Sequence, residues 1–145
     1  MVRSILVAGA LALGVTAAIA QANVIEQRQA LMKQFGDTTR TFGGMLRGQV
    51  PFDLAQAQAA LRTYSGNAKQ LPALFPENSK TGNKTQALPV IWENKQDFNA
   101  IFAKLDQDAQ TALASIKDEA SFKAEAPKVV QNCGGCHNRF REKQS

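Results

Sequence analysis

Cysteine and histidine are scarce in this chain: 145 residues hold two Cys and one His. That scarcity removes several functions at once. A structural zinc site wants four Cys or His ligands, and only three such residues exist. A thiol–disulfide enzyme places its C-x-x-C after a strand in a βαβ pattern, and no strand pattern precedes the cysteines here. No carboxylate pair, Ser/His/Asp set or phosphate-binding loop stands out, so catalysis is not expected. No block of five or six like charges is present. No basic stripe carries aromatic platforms either, which argues against a nucleic-acid binder. Internal repeats, low-complexity tracts and a second long apolar run are also missing, and the mature chain is not expected to insert in a membrane.

The one long apolar run lies at the start. Arg3 precedes Ile5 to Ala20, and small residues at Ala18-Ile19-Ala20 and Ala20-Gln21-Ala22 close it. A charged start, a short apolar core and an A-x-A-type end read as a secretory signal peptide. A membrane anchor would need roughly 20 apolar residues. We expect residues 1–22 to be removed, with cleavage at Ala20 or Ala22, leaving residues 23–145 as one domain with its own core. The formal net charge is +5; without Arg3, 16 basic residues face 12 acidic ones, a net of +4.

The mature chain has helical periodicity throughout. Ile25, Arg28, Met32, Phe35, Thr39, Phe42 and Leu46 follow a 3-4 spacing from Val24 to about Gly48. After Pro51, Asp53 is a plausible N-cap for a helix with Leu54, Ala57, Leu61, Tyr64, Ala68 and Leu71 on one face. Glu77 to Gln86 is a polar loop. A third helix after Pro89 carries Ile91, Phe98, Ile101, Phe102, Leu105, Ala109, Ala112 and Ile116. The last begins at Asp118 or Ser121 and carries Phe122, Val129, Val130, Cys133, Cys136, His137 and Phe140. Pro127 sits oddly inside it, since an interior proline costs roughly 3 kcal/mol, so that helix either begins nearer Glu125 or bends. The expected fold is all-α, an antiparallel four-helix bundle whose core can hold a cofactor.

Both cysteines and the sole histidine fall in one five-residue window, Cys133-Gly134-Gly135-Cys136-His137. C-x-x-C-H is the attachment signature for c-type haem. On a helix, positions i, i+3 and i+4 share a face. Two thiols can then form thioethers to the haem vinyl groups while the next imidazole points at the iron. Export agrees with this, because two thiols in an oxidising compartment would otherwise tend to pair. The expected cofactor is one covalently attached haem c.

A C-terminal C-x-x-C-H on the last of four helices, behind a signal peptide, resembles the cytochrome c′ (class II cytochrome c) family, and most closely its low-spin members. Other fragments are similar to the family: Arg28-Gln29, Arg47-Gly48-Gln49-Val50-Pro51-Phe52-Asp53, Pro89-Val90-Ile91-Trp92 with Phe98, and Cys133 through Arg141. The resemblance implies a haem-enclosing bundle, often an antiparallel homodimer, with His137 as proximal iron ligand. It implies that Arg28 and Gln29 approach the haem propionates and that Arg141 flanks the imidazole. Trp92 and Phe98 are candidate pocket residues, although core packing explains them, Phe35 and Phe42 equally well.

The other side of the iron decides the function. Low-spin members use a methionine of the first helix as ligand, and here Met32 stands one turn beyond Arg28. Met45 lies some ~20 Å further along the axis on another face. Two readings stand: Met32 ligates the iron, or it packs beside it. Met/His ligation raises the reduction potential and suits a periplasmic monohaem electron carrier that meets redox partner proteins. A packed Met32 leaves a five-coordinate, high-spin iron that binds the small gases nitric oxide or carbon monoxide. A mildly basic surface fits steering toward an acidic redox partner, and it fits an ordinary solvated surface as well.

Overall fold

The computed structural model describes the backbone of residues 5–143 and the side chains of residues 21–143. Among these described residues five α-helices follow one another: α1 (Ile5–Leu46), α2 (Leu54–Gln70), α3 (Val90–Glu93), α4 (Lys95–Ser115) and α5 (Glu119–Phe140). The expected signal peptide and its cleavage positions fall largely among residues whose side chains lie outside this description. Among the described residues no helix is long and apolar enough to cross a membrane.

Local chemistry sets most of the boundaries. α1 stops where Gly48 takes φ 68°. The Gly48 N–H then bonds Met45 O at 3.1 Å and the Gln49 N–H bonds Gly44 O at 2.8 Å. This is a Schellman stop, in which glycine alone avoids a Cβ penalty. Asp53 caps α2 as expected, accepting from the Gln56 N–H at 2.8 Å. α5 opens at Glu119 behind a reciprocal capping box between Asp118 and Ser121. It then runs on through Pro127, which is solvent-exposed.

The single helix expected after Pro89 is divided. Asn94 leaves helical geometry at φ −122°, ψ 49° and separates the four-residue α3 from α4. Tertiary bonds on either side explain the break. The Trp92 indole N–H donates to Phe75 O and Pro76 O at 3.0 Å each. Lys95 Nζ donates to Phe75 O at 2.8 Å. Both anchors tie the chain to the two 3-10 turns, Leu71–Leu74 and Glu77–Ser79, and an asparagine between them gives little helical resistance.

The long helices close a ring, α1 on α2, α2 on α4, α4 on α5 and α5 back on α1. Their inward stripes form one core that includes Phe42, Leu61, Tyr64, Phe98, Phe102, Leu105 and Phe122. T-shaped ring pairs run through it, Phe42 to Tyr64 at 5.4 Å and Phe42 to Phe122 at 5.0 Å. Around the ring, α1 and α5 are the least closely packed neighbours. That gap is where the site lies. At its open end the segment after the polar loop pairs with the end of α5 in an isolated antiparallel bridge, Ala87 to Arg141. The Leu88 N–H donates to Phe140 O at 3.0 Å and the Glu142 N–H to Gln86 O at 2.9 Å.

Candidate functional site

A cavity of about 650 Å³ separates α1, α4 and α5, within the range of small-molecule and cofactor sites. Cys133, Cys136 and His137 reach it from the C-terminal half of α5, and Arg28, Gln29 and Met32 from α1. Phe35, Phe75, Phe98, Phe102, Leu105 and Phe140 supply apolar wall. Arg141 closes one side. Helical spacing accounts for each set: residues 28, 32 and 35 repeat along one stripe of α1, and 133, 136, 137 and 140 along one stripe of α5.

The expected site residues therefore meet in one place, with an exception. Trp92 does not line the cavity; its indole is committed to the carbonyls of Phe75 and Pro76. Phe42 is likewise buried away from it. Met45 is 3 % exposed, does not line the cavity, and its sulfur accepts from the Asp53 N–H at 3.4 Å. Of the methionines with described side chains, only Met32 faces the same space as His137.

No disulfide joins Cys133 to Cys136. Burial, reinforced by the neighbouring Cys133, pushes the Cys136 thiol up to about 11. Burial also raises Cys133. Each is therefore neutral near pH 7. Burial, then the nearby Arg141 cation, pulls His137 below its ordinary value, which keeps the imidazole in the neutral form that a metal needs. Among the described residues no cluster of three or more His, Cys, Asp or Glu side chains could hold a bare metal ion.

Arg28 is 3 % exposed, and burial lowers its pKa. Its guanidinium donates to Leu74 O (3.3 Å), Ser79 Oγ (2.9 Å), Ser79 O (2.9 Å) and Thr85 Oγ1 (2.7 Å). It also lies 4.6 Å from the centre of the Phe75 ring. The arginine is thus the clamp that folds the 71–85 segment against α1. Gln29 adds a second tie, Nε2 to Asn83 O at 2.9 Å. By contrast the buried Arg141 Nε has no hydrogen-bond partner among the described residues. A buried donor left open on a cavity wall calls for an acceptor inside.

The donor set fits a haem. Two adjacent thiols, one neutral imidazole, one thioether and an apolar wall are what covalent attachment and axial ligation require. The open Arg141 donor and the other cationic side chains suit its propionates. Sequence reasoning did not single out Phe75, Lys84, Thr85, Asn132 or Arg40 as wall residues. Most of these come from loops or from helix faces outside the apolar stripes, where periodicity carries no signal.

A family model described as Cytochrome C′ matches residues 23–141. A cytochrome c′ of Rhodopseudomonas palustris is 48 % identical over 139 residues, covering 96 % of this chain and 95 % of that protein. A cytochrome c-556 of Agrobacterium fabrum is 40 % identical, covering 88 % of this chain and 86 % of the relative. Among solved structures, a cytochrome c′ from Rhodopseudomonas palustris superposes with a TM-score of 0.82 at 49 % identity, covering 84 % of this chain and 98 % of that one.

Proposed function

Because this chain belongs to the cytochrome c′ family, and is therefore a monohaem cytochrome c with one covalently attached haem c, we propose that it is a low-spin electron carrier with His137 and Met32 as the two axial ligands. The haem supplies a one-electron couple at its iron. Cys133 and Cys136 hold it covalently, and α5 fixes their spacing. His137 presents a neutral imidazole, kept neutral by burial and by Arg141. The aromatic wall excludes water, and Arg141 and its cationic neighbours offer donors to the carboxylates. Residues 1–22 act as the export signal, and the mature protein works in the periplasm. Neither the family nor the site points to catalysis.

The observation that carries the ligation reading is the position of Met32. It lines the cavity that His137 lines, from a different helix, while Met45 is buried elsewhere. Two axial protein ligands keep coordination the same in both oxidation states, so little reorganises as an electron arrives or leaves. A second reading is supported by the packing of Met32 against the core: a thioether that only packs leaves the iron open to nitric oxide or carbon monoxide.

One spectrum separates the two. Under the ligation reading, the oxidised protein is low-spin and shows a methionine–iron charge-transfer band in the far red. Met32→Ala removes the band, turns the iron high-spin and admits carbon monoxide freely. High-spin spectra in both oxidation states, unchanged in Met32→Ala, would establish the gas-binding reading instead.

A further inference from the structure

Five cations line the cavity, Arg28, Arg40, Arg47, Lys84 and Arg141, and no Asp or Glu does. They are not equivalent. Arg28 is buried and its donors are taken by the 74–85 segment. Arg40 is exposed and shares Asp37 with Lys33. Arg47 and Lys84 are exposed, and among the described residues no carboxylate lies within salt-bridge distance of either of them or of Arg141. The propionates of one haem neutralise two cations at most, so the mouth keeps a positive excess.

Local contacts place two of these charges. Arg47 lies back along α1 over Gly43, where a Cβ would stand 2.9 Å from its Nη1, and its Nε donates to Gln49 Oε1 at 3.1 Å. Lys84 occupies left-handed backbone at φ 51°, after Asn83 at φ 44° and Gly82 at φ 99°. A lysine in that region is strained, and strain of this kind persists where the surroundings enforce it. Here the turn is tied to the retained part of α1 by Gln29 Nε2 to Asn83 O (2.9 Å) and Asn83 Nδ2 to Glu26 Oε1 (3.3 Å). The lysine is fixed at the rim and has no partner within the described chain.

We infer that this rim, marked by Lys84 near Gln29 and by Arg47 roughly 20 Å further along α1, is the docking surface for a redox partner that presents carboxylates over a similar span. The inference rests on the electron-carrier reading and names the kind of partner that reading requires. Charge complementarity at the rim raises the encounter rate and orients the partner toward the cavity. α2 contributes no side chain to the cavity, so its exposed Arg62, which has no salt-bridge partner among the described residues, lies off the surface and serves as an internal control.

The test uses haem-loaded protein and two one-electron oxidants of opposite charge, ferricyanide and tris(phenanthroline)cobalt(III). Each takes one electron from the reduced haem iron, giving ferrocyanide and the cobalt(II) complex. At low salt we expect ferricyanide to react faster, with a rate that falls as salt rises, and the cobalt complex to show the reverse. Lys84→Glu and Arg47→Glu should each slow ferricyanide by about three- to ten-fold at low ionic strength. That difference should close near 1 M salt, where the Debye length is about 3 Å. Polyglutamate should inhibit the wild type and lose its effect in both variants. Arg62→Glu, with the same change in net charge, should leave the rate within about two-fold of wild type. Equal slowing by all three variants would show that only net charge acts, and no slowing by Lys84→Glu or Arg47→Glu would remove the surface; either result overturns the inference. Failure of the ligation reading is seen separately in the spin state, which these salt slopes do not report.

Discussion

Arg28 is a cation on the apolar stripe of α1, where an unpaired charge is costly. The sequence makes its burial and its need for partners legible. It does not say that those partners are Leu74, Ser79 and Thr85, 46 to 57 residues away, because such contacts are set by the fold. Arg28→Ala should cost about 3 kcal/mol in urea unfolding, since it strands several buried acceptors. Arg28→Lys should recover only part of that, because one ammonium cannot span the same four oxygens. Tyr64 makes a pH prediction at the same scale. It is 1 % exposed, and burial pushes its phenol up to about 12, with the Thr39 hydrogen bond opposing in part and Cys133 adding a smaller upward push. The unfolded chain loses this proton near pH 10 and the folded one near 12. Over that window the folded state binds more protons, so its stability falls as pH rises, by roughly 3 kcal/mol for the two-unit gap. Unfolding curves collected across the window should show that slope, and Tyr64→Phe should flatten it.

Elements were legible where local chemistry decides. The Asp53 cap, the Gly48 stop and the Asp118 start need only neighbours in sequence. Where tertiary bonds compete, periodicity misleads: α3 and α4 read as one helix until Trp92 and Lys95 are seen pulling toward Phe75. The bridge between Ala87 and Arg141 left no pattern at all, because a single pair has no period. Pro127 is the opposite case, a strong local signal that the fold overrides. α5 carries it in its interior, facing solvent, because Phe122 and Ala126 before it and Val129 after it are all buried against the bundle. That packing outweighs the missing N–H and the clash with the preceding turn. Pro127→Ala should accordingly stabilise the protein by about 1–3 kcal/mol, seen as a higher midpoint in thermal unfolding, with the haem spectrum unchanged. A loss of stability would show that the proline sets the path of α5.

At the scale of the molecule, the bundle is arranged around a volume that its own side chains do not fill. That volume of about 650 Å³ is walled by Phe35, Phe98, Phe102, Leu105 and Phe140, and covering such apolar surface is stabilising whereas water makes poor contact with it. The haem is therefore a structural element of the core as well as a redox centre. Cys133→Ser with Cys136→Ser should remove covalent haem while leaving every helix signal in the sequence intact. α2 lines none of the cavity and packs closely on α4, so helicity should largely survive in far-UV circular dichroism. The α1–α5 side has little else to hold it, so near-UV signals should fade and thermal unfolding should lose its cooperativity, the behaviour of a compact state without fixed packing. A sharp, native-like transition in the double variant would mean that the bundle closes over the space on its own, and that the gap between α1 and α5 is not maintained by the group it encloses.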